Sequence, residues 1–162
     1  MSSELFPNIS LSARLFVFTS NANLSSSESI AFKENLGSFI SDWKAHGSLL
    51  DASFMLIANR VLVIVADEID QTVTGCSIDS LNRCLQSSGF DWFARTWVLH
   101  NSDSPTLDAD WSVCDLADFH DRCRSGEISM DEFILNTTVL SIEDLRNNLV
   151  QKVSESWHIQ ML

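Results

Sequence analysis

Residues 50–66 read LDASFMLIANRVLVIVA, and the fold turns on how this stretch is divided. Leu50 to Ala58 and Val61 to Ala66 read as two strands joined at Asn59-Arg60. Asparagine tolerates positive φ, so a tight hairpin fits there. The second strand is apolar on both faces, with Val61, Val63 and Val65 on one and Leu62, Ile64 and Ala66 on the other. A sheet with one wet face would alternate with polar residues, so both faces of this strand must be covered.

Working outward, Leu15, Phe16, Val17 and Phe18 mark a strand over 13–19. Ser25 with Glu28 forms a capping box. Phe32, Leu36, Phe39, Ile40 and Trp43 then follow at helical spacing, so the pattern predicts a helix to about Lys44. Gly47 after His46 would end it in a left-handed cap. Downstream of the hairpin, 67–74 is a polar loop. Gly75-Cys76-Ser77 opens a second helix that stops near Gly89, and 95–100 is a fourth strand.

The order β-α-β-β-α-β is that of a ferredoxin-like α+β sandwich, with strands in the order 4-1-3-2 and both helices on one face. Asn101 to Asp110 is a boundary loop. Helices are expected near 113–124, 129–134 and 142–152. The chain thus reads as a single domain over 1–162, with a core at 13–100 and a mostly helical C-terminal extension at 101–162. That extension is favoured over a second subunit as the cover for the other sheet face, because its own apolar residues need a partner. The ending SESWHIQML should dock with Trp157 buried. Arg60 at the hairpin tip reads as solvated.

At 162 residues the chain is long enough for one proper core. Its 45% hydrophobic and 20% charged content excludes a disordered chain. The net charge is -12, with eleven acids against six bases before Thr106 and eleven against four from there on. That argues against nucleic acid and an anionic membrane surface as partners, since both need clustered cations. No apolar run approaches the ~20 residues of a membrane span. The N-terminus lacks a basic region followed by an apolar stretch, so a cytoplasmic protein is expected. Its four cysteines form no C-x-x-C pair and read as reduced thiols. A metal site is not expected: Cys114 and His120 lie ~240° apart around one helix.

Several short motifs are spaced along the chain: Trp43-x-x-His46-Gly47, Asn59-Arg60 before the apolar strand, Asp67-Glu68 after it, Gly75-Cys-Ser-Ile-Asp-Ser80, and Ser154-Glu-Ser-Trp-His158. With these the chain resembles a family of short uncharacterised bacterial proteins, some labelled "ABC transporter ATPase". The resemblance spans about residues 13 to 158 and implies no activity or catalytic residue. The label itself finds no Walker A loop. The five glycines, at 37, 47, 75, 89 and 126, give neither G-x-x-x-x-G-K-[ST] nor G-x-G-x-x-G. No cofactor is implied.

In the expected topology one edge gathers His46, Asp67, Gly75, Cys76, Ser77, Asp79 and His100. A helix N-terminus favours a thiolate, so Cys76 is the candidate nucleophile and His46 its candidate base. Asp67, Gly75, Ser77, Asp79, His100 and His158 are candidate binding residues, with His158 carried there by the tail. The plainer readings are that Ser77 caps the helix, Cys76 fills space and His158 is a surface histidine. Two functions compete: a module that binds a small molecule or a protein, as monomer or homodimer, and a thiol-dependent enzyme using Cys76.

Overall fold

In the hairpin, β4 (Asp51–Ile57) and β5 (Val61–Asp67) pair antiparallel from Asp51↔Asp67 to Ile57↔Val61. The turn closes with Arg60 N–H donating to the Ile57 carbonyl at 3.0 Å. Its two central residues, Ala58 and Asn59, both have φ 53°, the arrangement that suits the right-handed strand twist. The computed structural model describes residues 5–68 and 70–162. The extreme N-terminus, and Ile69 within the polar loop expected over 67–74, lie outside them.

On the far side of β5, β1 (Arg14–Thr19) pairs antiparallel, giving a three-stranded sheet β1-β5-β4. The expected order 1-3-2 is therefore present. Its fourth strand is not: β6 (Trp97–Asn101) belongs to a second sheet, of order β7-β6-β8-β9. Beside β1, the approaching chain makes only a single parallel bridge, Thr19↔Phe93, before it leaves. Arg95 explains the departure. Its Nη2 donates to the Val17 carbonyl at 2.6 Å, at the place where a strand's N–H would bond. The ferredoxin-like four-stranded sheet is thus replaced by two antiparallel sheets within an α+β fold.

The expected C-terminal helices alternate with strands. β7 (Ser112–Asp115) leads directly into α3 (Leu116–Arg124), and β8 is Phe133–Leu135 where a short helix was expected. α4 (Ile142–Asn148) is followed by β9 (Val150–Lys152). The extension is therefore not mostly helical. Ser129 and Glu132 do make a capping-box contact, Ser129 N–H to Glu132 Oε1 at 3.2 Å, but it closes one turn and no helix follows. Phe133, Ile134 and Leu135 then alternate between two apolar layers, a period-2 pattern too short to be told from a helix by sequence.

Four layers result. α1 (Ser26–Ser41) and α2 (Gly75–Gln86) bury Phe32, Leu36, Ile40, Leu81 and Leu85 against Leu62, Ile64 and Ala66 of β5. The opposite face of β5, Val61, Val63 and Val65, packs on Leu99 of β6, Leu135 of β8 and α4. Behind the second sheet lie Phe119 and Cys123 of α3, packed on Val98 and Ile134. The C-terminal segment covers the second face of the first sheet, as expected.

Local chemistry sets the ends. Ser25 Oγ accepts from Glu28 N–H at 3.2 Å, and Glu28 Oε1 accepts from Ser25 N–H at 2.9 Å. α1 stops at Ser41, earlier than expected. His46 and Gly47, expected as its C-cap, instead form the turn between β2 (Lys44–Ala45) and β3 (Ser48–Leu49), with φ 52° and 79°. Trp43 is buried as expected, but outside the helix.

Arg60 is not solvated. It is buried, with Nη1 on Asn23 Oδ1 at 3.0 Å and Nη2 on the Asn21 carbonyl at 3.1 Å. Its guanidinium lies 4.3 Å from the Trp97 ring centre. The hairpin tip is thereby fastened to the start of the second sheet.

Candidate functional site

The expected edge is assembled only in part. α2 begins after Thr74, whose hydroxyl accepts from Ser77 N–H at 3.1 Å. Ser77 is buried. Its Oγ donates to the Lys44 carbonyl at 2.8 Å, and its own carbonyl accepts from Trp43 Nε1 at 2.9 Å. These bonds hold the start of α2 against β2, so Gly75, Cys76 and the His46 turn belong to neighbouring segments. Cys76, His46 and Asp79 are exposed, and no hydrogen bond joins Cys76 to a histidine among the described residues. Asp67 is buried at the end of β5, where Oδ2 accepts from Ser10 N–H at 3.3 Å. It shares a 120 Å³ cavity with Asp51 and Asp70.

His100 and His158 lie elsewhere. Because β6 sits in the second sheet, His100 faces α3, with Nδ1 3.2 Å from Glu132 Oε2. His158 is 3% exposed in the same layer. Its Nδ1 is 2.9 Å from His120 Nε2, and its ring meets Phe119 edge-on at 5.0 Å. The tail docks as expected, but Trp157 is not buried. It is 38% exposed and stacks over His158 at 4.1 Å. The final residues form a 3₁₀ turn, Trp157–Met161, which presents His158 to the interior and leaves its neighbours outside. Burial and the adjacent His120 push the His158 pKa down to about 4. His120 is lowered too, first by burial and then by Arg124.

A cleft that the sequence did not reveal runs along the open edge of β1 and has a volume of 480 Å³. Leu15, Phe16 and Val17 form one wall, and Thr138, Val139 and Leu140 the other. Arg95, Thr137 and Thr138 also line a second cavity, of 100 Å³, so the two are continuous. That cavity ends on Trp97, Trp157 and His158. Leu140 at the mouth is 88% exposed.

The strand wall carries backbone hydrogen-bonding capacity. Thr19 N–H donates to the Trp92 carbonyl at 3.1 Å, and the Val17 carbonyl accepts from Arg95. Both partners lie off β5, so the odd-numbered residues of β1 turn their peptide groups outward. That includes Leu15 N–H, Leu15 C=O and Val17 N–H, which pair with no described residue. Arg14, whose guanidinium lies 5.5 Å from the Phe16 ring centre, and Arg95 add positive charge to the edge.

Comparison with protein-family models, curated proteins and solved structures finds no match in any of the three. Two further facts bear on the chemistry of the site. Among the described residues no group of three or more His, Cys, Asp or Glu is arranged to hold a metal ion. No helix among them is long and apolar enough to cross a membrane.

No local signal marks the cleft, since Leu140 stands beside Val139 and reads as one more apolar residue. The signal for the missing fourth strand was Arg95, a long donor placed where the strand was expected to begin.

Proposed function

We propose that the protein is a binding module that takes an extended segment of another protein along β1, by strand addition. The observation that carries the reading is the outward peptide edge of β1 facing a 480 Å³ groove. An open edge is a template for another strand unless it is covered or charged. In such complexes backbone bonds supply affinity, and alternate side chains fill pockets. Leu15 and Val17 share one face of β1 and, with Leu140 across the groove, favour an apolar residue at every second position of the segment. Arg14 and Arg95 stand out on a chain of net charge -12 and favour acids at the intervening positions. The occupant is therefore an extended segment in which acidic and apolar residues alternate.

The thiol-enzyme reading has less support, since Cys76 has no histidine bonded to it among the described residues. The ferredoxin-like topology bears on the proposal in one respect. The incoming segment would occupy the edge where that topology has its fourth strand.

Titrating the labelled protein with a short alternating Glu/Val peptide tests this. Amide shifts should concentrate at Leu15, Val17, Arg95 and Leu140. Leu15→Pro removes an outward donor without breaking a bond to β5, and edge strands tolerate proline. It should weaken binding at least ~5-fold, the size of one lost hydrogen bond. Shifts confined to another face, or unchanged affinity in Leu15→Pro, would overturn the proposal.

A further inference from the structure

The small cavity continuous with the cleft ends on the C-terminal tail, at Trp157 and His158, and the tail is held by a contact between two imidazoles. His120 lies on α3 and His158 on the terminal 3₁₀ turn, and both are buried, at 6% and 3% exposure. One hydrogen lies between His120 Nε2 and His158 Nδ1, donated by one ring and accepted by the other. Trp157 covers the pair, stacked on His158 and edge-on to His120 at 6.1 Å. We propose that this His120–His158 contact is a proton-operated latch, closed at neutral pH, whose opening releases the residues from Trp157 onward and lengthens the cleft toward Phe119. The lengthening as a control on binding rests on the strand-docking reading; the latch itself does not.

Proton counting sets how it works. A neutral pair has one N–H on each ring, and one of them makes the bond. A first added proton can sit on an outer nitrogen while the bond persists. With a second, all four ring nitrogens carry hydrogen. Two N–H groups and two positive charges then face each other at 2.9 Å, away from water. The contact cannot survive that state, so opening takes up two protons.

The surroundings favour release over accommodation. On α3, Arg124 opposes charge on His120 more than Asp121, which is paired with Arg124 at 2.7 Å, favours it. On the cleft side, Arg95 lines the same cavity as His158. Across Phe119, His100 is occupied with Glu132, so that carboxylate has its own partner. The nearby thiols Cys114 and Cys123 are buried. The lowered His120 and His158 pKa values agree with this geometry.

Release has a defined extent. Val153 N–H is held by the Glu132 carbonyl at 2.9 Å and Ser154 N–H by the Met130 carbonyl at 3.0 Å, so the chain stays anchored there. Beyond them, Arg124 Nη2 donates to the Met161 carbonyl at 2.6 Å, a further hydrogen bond between tail and α3.

Hydrogen exchange on the full chain, corrected for intrinsic rates and read from neutral pH to about pH 4.5, tests the latch. Protection of residues 157–162 should fall with a slope of about two decades per pH unit below pH 6.5, while β5 stays protected. In His120→Gln only one titrating ring remains and the slope should drop to about one. Loss of protection in the tail and β5 together, or a tail that stays protected throughout, overturns the latch. So does an unchanged slope in His120→Gln. If that variant does not fold, the wild-type slope and the ring-nitrogen resonances of His120 and His158 decide. The alternating Glu/Val peptide is titrated separately at both ends of the pH range. If the tail opens but the peptide binds at neither pH, docking fails and the latch stands. If the peptide binds and the tail never opens, the latch fails alone.

Discussion

Arg60 sits at a hairpin tip, where a charged side chain ordinarily meets water, yet it is buried and joins two sheets. Burial lowers its pKa, and only its two terminal nitrogens have partners, with Nε left unpaired. The planar fork is what fits, since one end reaches Asn23 and the other Asn21 while the face lies on Trp97. Arg60→Lys keeps the charge but loses the fork and the stacking. It should lower stability by about 1–3 kcal/mol in urea unfolding, through lost bonds to a charged group and a lost cation–π contact. A change near zero would mean that Trp97 and Asn23 hold the tip without it. The thiols also separate at this scale. Burial raises the pKa of Cys84 and Cys123 and pushes Cys114 up to about 11. Cys76 is the exposed one. Iodoacetamide should therefore mark Cys76 first in the folded protein, the half-buried Cys84 more slowly, and Cys114 and Cys123 only on unfolding, as peptide mass mapping would show.

At the scale of elements, the legible parts were those with strong local chemistry. Ser25 and Glu28 announced α1, Ser141 announced α4, and the run from Val61 announced a strand buried on both faces. What local chemistry does not specify is a strand's neighbour. The sequence places a strand over 95–100 and one forms at Trp97–Asn101, but the pleat carries no information about which sheet it joins. The placement of β6 depends on Arg95 taking the Val17 carbonyl, a contact across 78 positions. The turn at Ala58-Asn59 permits a direct test of an element. Ala58 is a Cβ-bearing residue at φ 53°, a conformation that costs roughly 1–2 kcal/mol for L-residues. Ala58→Gly removes that cost but adds backbone entropy to the unfolded chain, for a net gain of about 0.5–1 kcal/mol. A higher urea midpoint is the expected result; a lower one would show that the Ala58 methyl packing against the second core outweighs the strain.

For the whole molecule, acid stability follows from the histidine layer. His158 and His120 are held neutral in the folded state, with pKa values below the 6.5 of an unperturbed histidine. As pH falls, the unfolded chain takes up protons first. The His158 contribution is complete above pH 6.5, shrinks as pH drops through that value, and is gone near its folded value of about 4, and that of His120 changes in the same direction. For His158 this amounts to about 3 kcal/mol. Urea midpoints should fall between neutral pH and about pH 5 in the wild type, and fall less in His158→Phe. Equal falls in both would assign the acid sensitivity to carboxylates. The candidate site was least legible at this scale. His46, Asp67 and Cys76 were placed together through an assumed connectivity, and that connectivity did carry β2 to the start of α2. His100 was lost to the edge the moment β6 changed sheets. The cleft needs β1, Arg95 and Leu140 at once, residues more than a hundred positions apart at the extremes, and no local pattern announces it.

Arg146 on α4 grips the first described residues, with Nε on the Leu5 carbonyl at 3.1 Å and Nη2 on the Phe6 carbonyl at 2.7 Å. Leu5, Phe6 and α4 thus meet over the valine face of β5. On the ribosome this imposes an order of events. The three strands of the first sheet, β1, β4 and β5, and both N-terminal helices emerge early, but the residues that cover Val61, Val63 and Val65 lie as far on as Leu149. Through most of translation the nascent chain carries an uncovered apolar sheet, the kind of surface that nascent-chain chaperones hold and that aggregates when they do not. A chain that stalls before α4 therefore lacks both its cover and its clasp, and becomes a substrate for quality control.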